Sequence, residues 1–581
     1  MDTFSSKRRD FLKLCGLSAA ALWYPAIMAA SRSVFIAQSP GKELTADILI
    51  AGGGLGGCAA ALAATRRGFR VILTEPTDWI GGQATQQGVS ALDDHIWIES
   101  FGRTRSYAQF RNRIRDYYRK HYPMAPQARA RKYLDPGDGL VSKLCCEPKV
   151  ILAVLQEMLS QAVKEGTLIL FLTTRPVGAD VDGDRVRAIR LISETEGKEV
   201  IVRAKYFVDA TELGDLLPLT GTEWVSGSES KRKTKEPHAS IEERPHNMEA
   251  VTWCCILDYL EGEDHTIEKP GQYDLWRSYR PNLMPPWPGY PLFSLWVSRP
   301  ISDEPVERAF VPTVGKFAEY RTKELNLWLY RRILNHANFQ PGTFPSDITL
   351  INWPQNDYMA GNIFGGTEEE NARHKEGARQ LTLSLIYWLQ TEAPRPDGKA
   401  GWPSLHLRKD VLGTRDGLAK YPYIRESRRI KAEFTILEQE ICESAKQKIG
   451  RHRVSREFDD SIGVGHYDID LHPTTGGDNY IDLHHCPYQI PLGALIPIRM
   501  ENLLPGCKNI GTTHVSNGAY RLHHTEWNIG EAAGALAAFC LKRGEPPARV
   551  RNHQPLLREF QSELIKDGFE LDWAKLATVR D

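Results

Sequence analysis

One segment constrains this chain more than any other. Ala46-Asp47-Ile48-Leu49-Ile50-Ala51 has the composition of a buried strand and stops at Gly52-Gly53-Gly54-Leu55-Gly56-Gly57. Cys58 to Arg67 then reads as an alanine-rich helix closed by Gly68. In such a strand–turn–helix, Gly52 permits the tight turn, Gly54 lets the backbone approach a pyrophosphate, and Gly57 lets the helix pack on the sheet. The helix N-terminus adds N–H donors and the positive end of a dipole. A second strand from Phe69 to Thr74 ends at Glu75, 18 residues past Gly57, where a carboxylate accepts hydrogen bonds from an adenosine ribose. The same acid would repel a 2'-phosphate, which disfavours NADP.

Asp78-Trp79-Ile80-Gly81-Gly82-Gln83-Ala84-Thr85 follows. With this segment the chain resembles the FAD-dependent oxidoreductase family, whose members share the two-domain architecture of glutathione reductase and of fumarate reductase flavoproteins. The resemblance implies that Gly82 and Gln83 lie along the cofactor and lead toward the isoalloxazine. It extends over about residues 45–100, 200–221 and 488–545. It implies FAD as the cofactor and a Rossmann-like α/β domain built from N- and C-terminal segments.

Between these segments, Glu147 to Glu165 carries apolar residues at a period near 3.6 and predicts a helix ending at Gly166. Leu168 to Leu172 predicts a core strand, Val177 to Leu191 a hairpin over Asp182-Gly183, and Val200 to Val208 one further strand. That strand runs into Asp209-Ala210-Thr211 and Gly214-Asp215, which resembles the family's strand end beside the FAD pyrophosphate. The lesser alternative for Asp209 is a helix cap. Residues 224–500 carry no repeat and are expected to form an inserted α+β substrate or cap domain. Its opening, Ser226 to Arg244, is charged and predicts a solvated, mobile loop.

Residues 502–514 look like the family's late strand and turn toward the flavin ribityl chain, with Thr513 as ligand. Thr512-Thr513-His514 stands where the family commonly has an acid. Asn528-Ile529-Gly530-Glu531-Ala532-Ala533-Gly534 predicts a helix of small residues capped by Asn528 and closed by Gly544. The resemblance implies that Asn528 and Gly530 lie at the flavin edge, where the helix dipole stabilises the negative charge of reduction. The expected division is 1–33 signal segment, 45–223 and 501–545 FAD-binding domain, 224–500 inserted domain, and 546–581 helical tail.

Eight of the 17 histidines fall within residues 452–524, next to this helix. Transfer of a hydride from a C–H bond to flavin needs a base for the accompanying proton, and histidine suits neutral pH. His514, His523 and His524 are the candidates, with Arg521 placed to hold a substrate carboxylate. In His466-Tyr467-Asp468-Ile469-Asp470-Leu471-His472, alternation predicts a strand with the four ionisable residues on one face. Its outer histidines would lie about 20 Å apart, too far for one metal ion. His472 remains a site candidate and no metal is expected.

Lys plus Arg and Asp plus Glu each number 73, which leaves no excess charge for a nucleic-acid partner. The ten cysteines form no C-x-x-C pair. Ser6-Lys7-Arg8-Arg9-Asp10-Phe11-Leu12-Lys13, followed by a mildly apolar run to Ala30, resembles a twin-arginine export signal. Gly16, Tyr24 and Pro25 argue against a membrane span there, although an uncleaved anchor is an alternative. The reading is an exported FAD-dependent dehydrogenase or oxidase acting on a small polar molecule, with a separate electron acceptor. Alternatives are an alkene reductase of fumarate type, a monooxygenase, and a non-redox lyase or carbohydrate-binding protein. Oligomeric state is not legible.

Overall fold

The computed structural model describes residues 43–288, 290–299, 302–441, 447–449 and 452–579. The signal reading on residues 1–33 lies outside them. Strand β1 (Ile48–Ala51) runs through the glycine turn into helix α1 (Leu55–Arg66), which returns to β2 (Val71–Thr74). Helix α2 (Pro148–Lys164) buries the apolar stripe anticipated from its period and leads to β3 (Leu168–Phe171). A hairpin of β4 (Thr174–Asp182) and β5 (Arg185–Ser193) is extended by β6 (Glu199–Arg203), and β7 (Tyr206–Asp209) follows.

Here the expected single strand Val200–Val208 proves to be two. β6 pairs antiparallel with β5, whereas β7 pairs parallel with β1 in another sheet. β6 is largely exposed and β7 fully buried, and the chain changes sheet at Ala204-Lys205.

In the middle of the chain, β8 (Cys255–Tyr259), β9 (Arg332–Leu334), β10 (Ile348–Ile351) and β11 (Leu405–Leu407) form a sheet in the order β9-β10-β8-β11. Two short strands, β12 (Ile469–Leu471) and β13 (Ile481–Leu483), pair antiparallel. The strand expected from His466 to His472 therefore covers only its last part. Next come β14 (Leu503–Pro505) and two helices, α3 (His514–Tyr520) and α4 (His523–Arg543).

Strand β14 pairs parallel with β7, which completes a five-stranded parallel sheet in the order β14-β7-β1-β2-β3. Every residue of β1, β2 and β7 is buried, as a parallel sheet covered on both faces requires. This is the Rossmann-like α/β fold, assembled from both ends of the described chain. Helix α4 crosses α1 at close range. A Cβ on Gly530 would lie 2.0 Å from the Gly56 carbonyl oxygen, and one on Gly534 would lie 2.3 Å from that of Ala60. The small residues of α4 are thus explained by helix-on-helix packing.

The segment Ser226–Arg244 is not a solvated loop. Its lysines point outward, but Ser228, Glu229, Ser230 and Glu236 are buried, and the two acids pair with groups beside α3. Among the described residues no helix is long and apolar enough to cross a membrane, and the eight described cysteines are buried.

Candidate functional site

The glycine turn divides its labour by geometry. Gly52 has φ +96°, and a Cβ there would lie 2.1 Å from the Ala210 carbonyl oxygen; a Cβ on Gly57 would lie 1.9 Å from that of Gly52. Both positions exclude a side chain for the sake of the fold. A Cβ on Gly54 would meet the carboxylate tips of Glu212 and Glu526, each at 3.2 Å, and the Ala210 carbonyl oxygen at an ordinary 3.9 Å. Gly54 therefore keeps clear the approach to the first turn of α1, where the N-cap residue itself supplies no side-chain cap and Glu526 holds the Gly56 N–H. Glu75 lines the same cleft, together with Gly52, Gly54, Thr211 and Glu212. Its carboxylate accepts hydrogen bonds from the backbone N–H groups of Gly53 at 3.0 Å and Thr77 at 2.9 Å. Lys508 pairs with Glu212 beside this cleft.

The Gly81-Gly82 pair closes onto the turn. Both glycines have positive φ, and a Cβ on Gly82 would lie 2.9 Å from the Gly54 Cα. Gln83 donates from Nε2 to the Arg521 carbonyl at 3.1 Å and to Glu526, while its Oε1 has no partner. Glu526 in turn accepts from the Gly56 N–H at 3.2 Å, so it joins α4 to the start of α1.

Other buried atoms on the same two stretches are also unpaired: Gln87 Nε2, Ser90 Oγ, Thr512 Oγ1 and Asn517 Oδ1. Buried polar groups are normally satisfied, so unpaired donors and acceptors on residues 83–90 and 512–517 fit a polar ring system lying between them. A glycine cradle, a ribose-type acid and this unpaired set together fit a dinucleotide with a flavin.

Three expected cofactor ligands have hydrogen-bond partners within the protein, although Asn528 Oδ1 has none among the described residues. Asp209 accepts from the Thr211 N–H at 3.0 Å, the Thr211 hydroxyl at 2.7 Å and the Leu216 N–H at 3.0 Å. It holds the first N–H of the helix Leu216–Thr220, and Glu212 faces the cleft in its stead. Thr513 caps α3 and donates to Glu236 at 2.6 Å. Asn528 caps nothing, because α4 already begins at His523; its side chain donates to the Ile462 carbonyl at 3.4 Å. The apolar periodicity of α4 starts late because its first turn is buried among polar partners, which hid the helix start.

The histidines separate by their partners. His523 accepts from the Asp93 N–H at 3.1 Å through Nδ1 and donates from Nε2 to the Val89 carbonyl at 2.9 Å. Both nitrogens are used by backbone, and burial lowers its pKa to about 4. His524 is likewise neutral, lowered to about 3 by burial and by His523 beside it. His514 donates to Glu426 at 2.9 Å; burial opposes its charge, but Glu426 outweighs it and raises the pKa to about 8. A protonated, ion-paired His514 is not a ready base. His472 is held between two carboxylates, with Nδ1 2.6 Å from Asp357 and Nε2 3.7 Å from Asp470. Burial and Arg425 oppose its charge, yet Asp357 and Asp470 raise it above the ordinary histidine range.

Of these histidines only His472 lines a cavity of about 370 Å³, with Arg331, Tyr467, Asp470, Tyr480 and Asp482 among its other walls. Burial, with Asp470 and Asp468 nearby, raises Asp482 to about 7. Arg331 and Asp482 escaped the sequence reading. Arg331 lies in no motif, and Asp482 acquires its environment only by pairing across β12 and β13. Arg521 does not line the cavity. It donates to the Tyr423 hydroxyl at 3.0 Å and to the Asp470 carbonyl at 2.5 Å, so it stands between cavity and cradle. Among the described residues no group of three or more His, Cys, Asp or Glu side chains is arranged to hold a metal ion.

The family model described as "FAD dependent oxidoreductase" matches residues 47–564. No curated protein matches the chain. Among solved structures, the chain is similar to L-proline dehydrogenase from P. horikoshii at 16% identity and TM-score 0.17, over 32% of this chain and 24% of that one. A geranylgeranyl bacteriochlorophyll reductase-like protein from Thermoplasma acidophilum aligns at 11% identity and TM-score 0.30, over 91% of this chain and 85% of that one. A flavocytochrome c3 fumarate reductase aligns at 20% identity and TM-score 0.17, over 29% and 34%. The chain thus spans about a quarter of the proline dehydrogenase and a third of the fumarate reductase.

Proposed function

We propose, for a chain that belongs to the FAD-dependent oxidoreductase family and takes FAD as its cofactor, that it oxidises a small polar organic molecule bound in the cavity lined by His472, Arg331 and Asp482. When bound, the flavin supplies the hydride acceptor at its N5 position. The residues around Gly54 and the first turn of α1 hold its pyrophosphate, and Glu75 holds its ribose. Arg331 orients the substrate. Asp482, raised to about 7, accepts the proton that leaves the substrate hydroxyl or amine. The carrying observation is the short bridge from cavity to cradle: Asp470 lines the cavity, its carbonyl accepts from Arg521, and the Arg521 carbonyl accepts from Gln83 beside Gly82.

The test is a visible spectrum of the purified protein followed by an anaerobic screen of alcohols, amines and hydroxy acids. The expected result is a yellow protein bleached by at least one donor. A yellow protein that no donor bleaches, but that turns over reduced dye with an unsaturated diacid, replaces this reading with alkene reduction. One observation favours that second reading: His472 lines the cavity against Asp357 and Asp470, which raise its pKa above the ordinary histidine range and suit it to donate a proton.

The twin-arginine-like stretch Arg8-Arg9 supports export in the folded, cofactor-loaded state. Fractionation of cells carrying Arg8→Lys and Arg9→Lys together tests it, with retention inside as the expected result.

A further inference from the structure

Resting on the oxidoreductase reading, we propose that the 370 Å³ cavity is built for a zwitterion, an amine that also carries a carboxylate. The β12–β13 register sets Asp470 directly opposite Asp482. Side chains opposed in an antiparallel pair have Cβ atoms about 5 Å apart, and like charges there are destabilising. Both carboxylates nevertheless line the cavity, and Asp468 joins them.

Two of the three have basic side chains beside them: His472 and Arg521 near Asp470, and the imidazoles of His484 and His485 near Asp468. Asp482 has neither a hydrogen-bond nor an ion-pair partner among the described residues, and the neighbouring acids raise it along with its burial. A cation between Asp470 and Asp482 turns this repulsion into binding energy. No three ligand side chains converge there for a metal ion among the described residues, so a protonated amine is the cation that fits.

The positive wall comes from other elements. Arg308 and Arg331 line the same cavity. Arg331 is only 9% exposed and holds Asp93 through Nη1 at 3.2 Å, leaving Nε without a partner. A buried guanidinium with spare donors is suited to a carboxylate. Trp353 Nε1 and Gln355 Oε1, on residues of the same wall, are unpartnered too. Acid on one strand pair and arginine on another element give the cavity two poles, which a singly charged ligand would satisfy at one end only.

Calorimetric titration of the FAD-loaded protein under anaerobic conditions tests this, with alanine, β-alanine and lysine as probes and propylamine and propanoate as single-charge controls. At least one zwitterion is expected to bind about tenfold or more tighter than either control, with Asp482→Asn and Arg331→Gln each weakening it by about tenfold or more at unchanged FAD content. Controls binding as well as every zwitterion, affinity that appears only with added divalent metal, or Asp482→Asn binding like the parent would each overturn the proposal. A colourless protein would defeat the flavoprotein reading itself, whereas a yellow one without zwitterion preference defeats this inference alone.

Discussion

Arg521 donates to the backbone carbonyl of Asp470 at 2.5 Å, and its guanidinium also lies 3.4 Å from Glu249 and 3.6 Å from the Asp470 carboxylate. Together with its own carbonyl, which Gln83 holds, this makes Arg521 the tie between the cavity strand β12 and the glycine cradle. It positions other groups, while its Nε has no hydrogen-bond partner among the described residues.

Arg521→Gln removes the cation from two buried carboxylates and should cost about 3–5 kcal/mol of stability. Urea unfolding reads this directly. Loss below about 0.5 kcal/mol, the range of an ordinary surface change, would show that the tie is not structural.

The glycine turn predicts a split between fold and cofactor. Gly57→Ala forces a methyl to within 1.9 Å of a carbonyl oxygen and should destabilise the protein by more than about 2 kcal/mol. Gly54→Ala crowds only side-chain tips, so it should melt near the parent temperature while losing FAD, as read from the visible spectrum. Equal loss of stability in both variants would contradict the division.

His514 predicts a pH dependence of stability. Its folded pKa, about 8, lies above the ordinary value of 6.5. The stabilisation is complete below about 6.5 and is lost as pH rises through about 8, a change of about 2 kcal/mol. Unfolding midpoints measured from pH 6 to pH 9 should fall in this window, and His514→Gln should flatten the slope.

His523 and His472 should behave oppositely. His523→Ala breaks two backbone hydrogen bonds and should lower stability by about 1–3 kcal/mol, without moving the pH profile of turnover. His472→Gln should raise KM or alter that profile while FAD content holds. A changed pH profile in His523→Ala would return that residue to the mechanism.

The cofactor half of the fold was legible because its signals are local or follow from tight sterics. A strand that ends in Gly52, a glycine required by the neighbouring Ala210 carbonyl, and an acid at the end of the next strand appear in order within about thirty residues. The amphipathic α2 was equally plain. Three errors share a cause. The run 200–208 changes sheet without a change of composition, Ser226–Arg244 hides its acids against α3, and α4 starts five residues before Asn528 because its first turn is buried.

The sequence by itself determined the strand–turn–helix unit, the place of Glu75 and the clustering of histidines, since backbone sterics and hydrophobic period act between near neighbours. Tertiary structure alone decided what each histidine is. His523 is neutral because burial lowers its pKa to about 4, with its nitrogens on Val89 and Asp93 more than 400 residues earlier, and His472 is raised above the ordinary histidine range because Asp357 and Asp470 enclose it. Protonation and hydrogen-bond roles depend on burial and on partners remote in sequence, and no pattern along the chain carries that information.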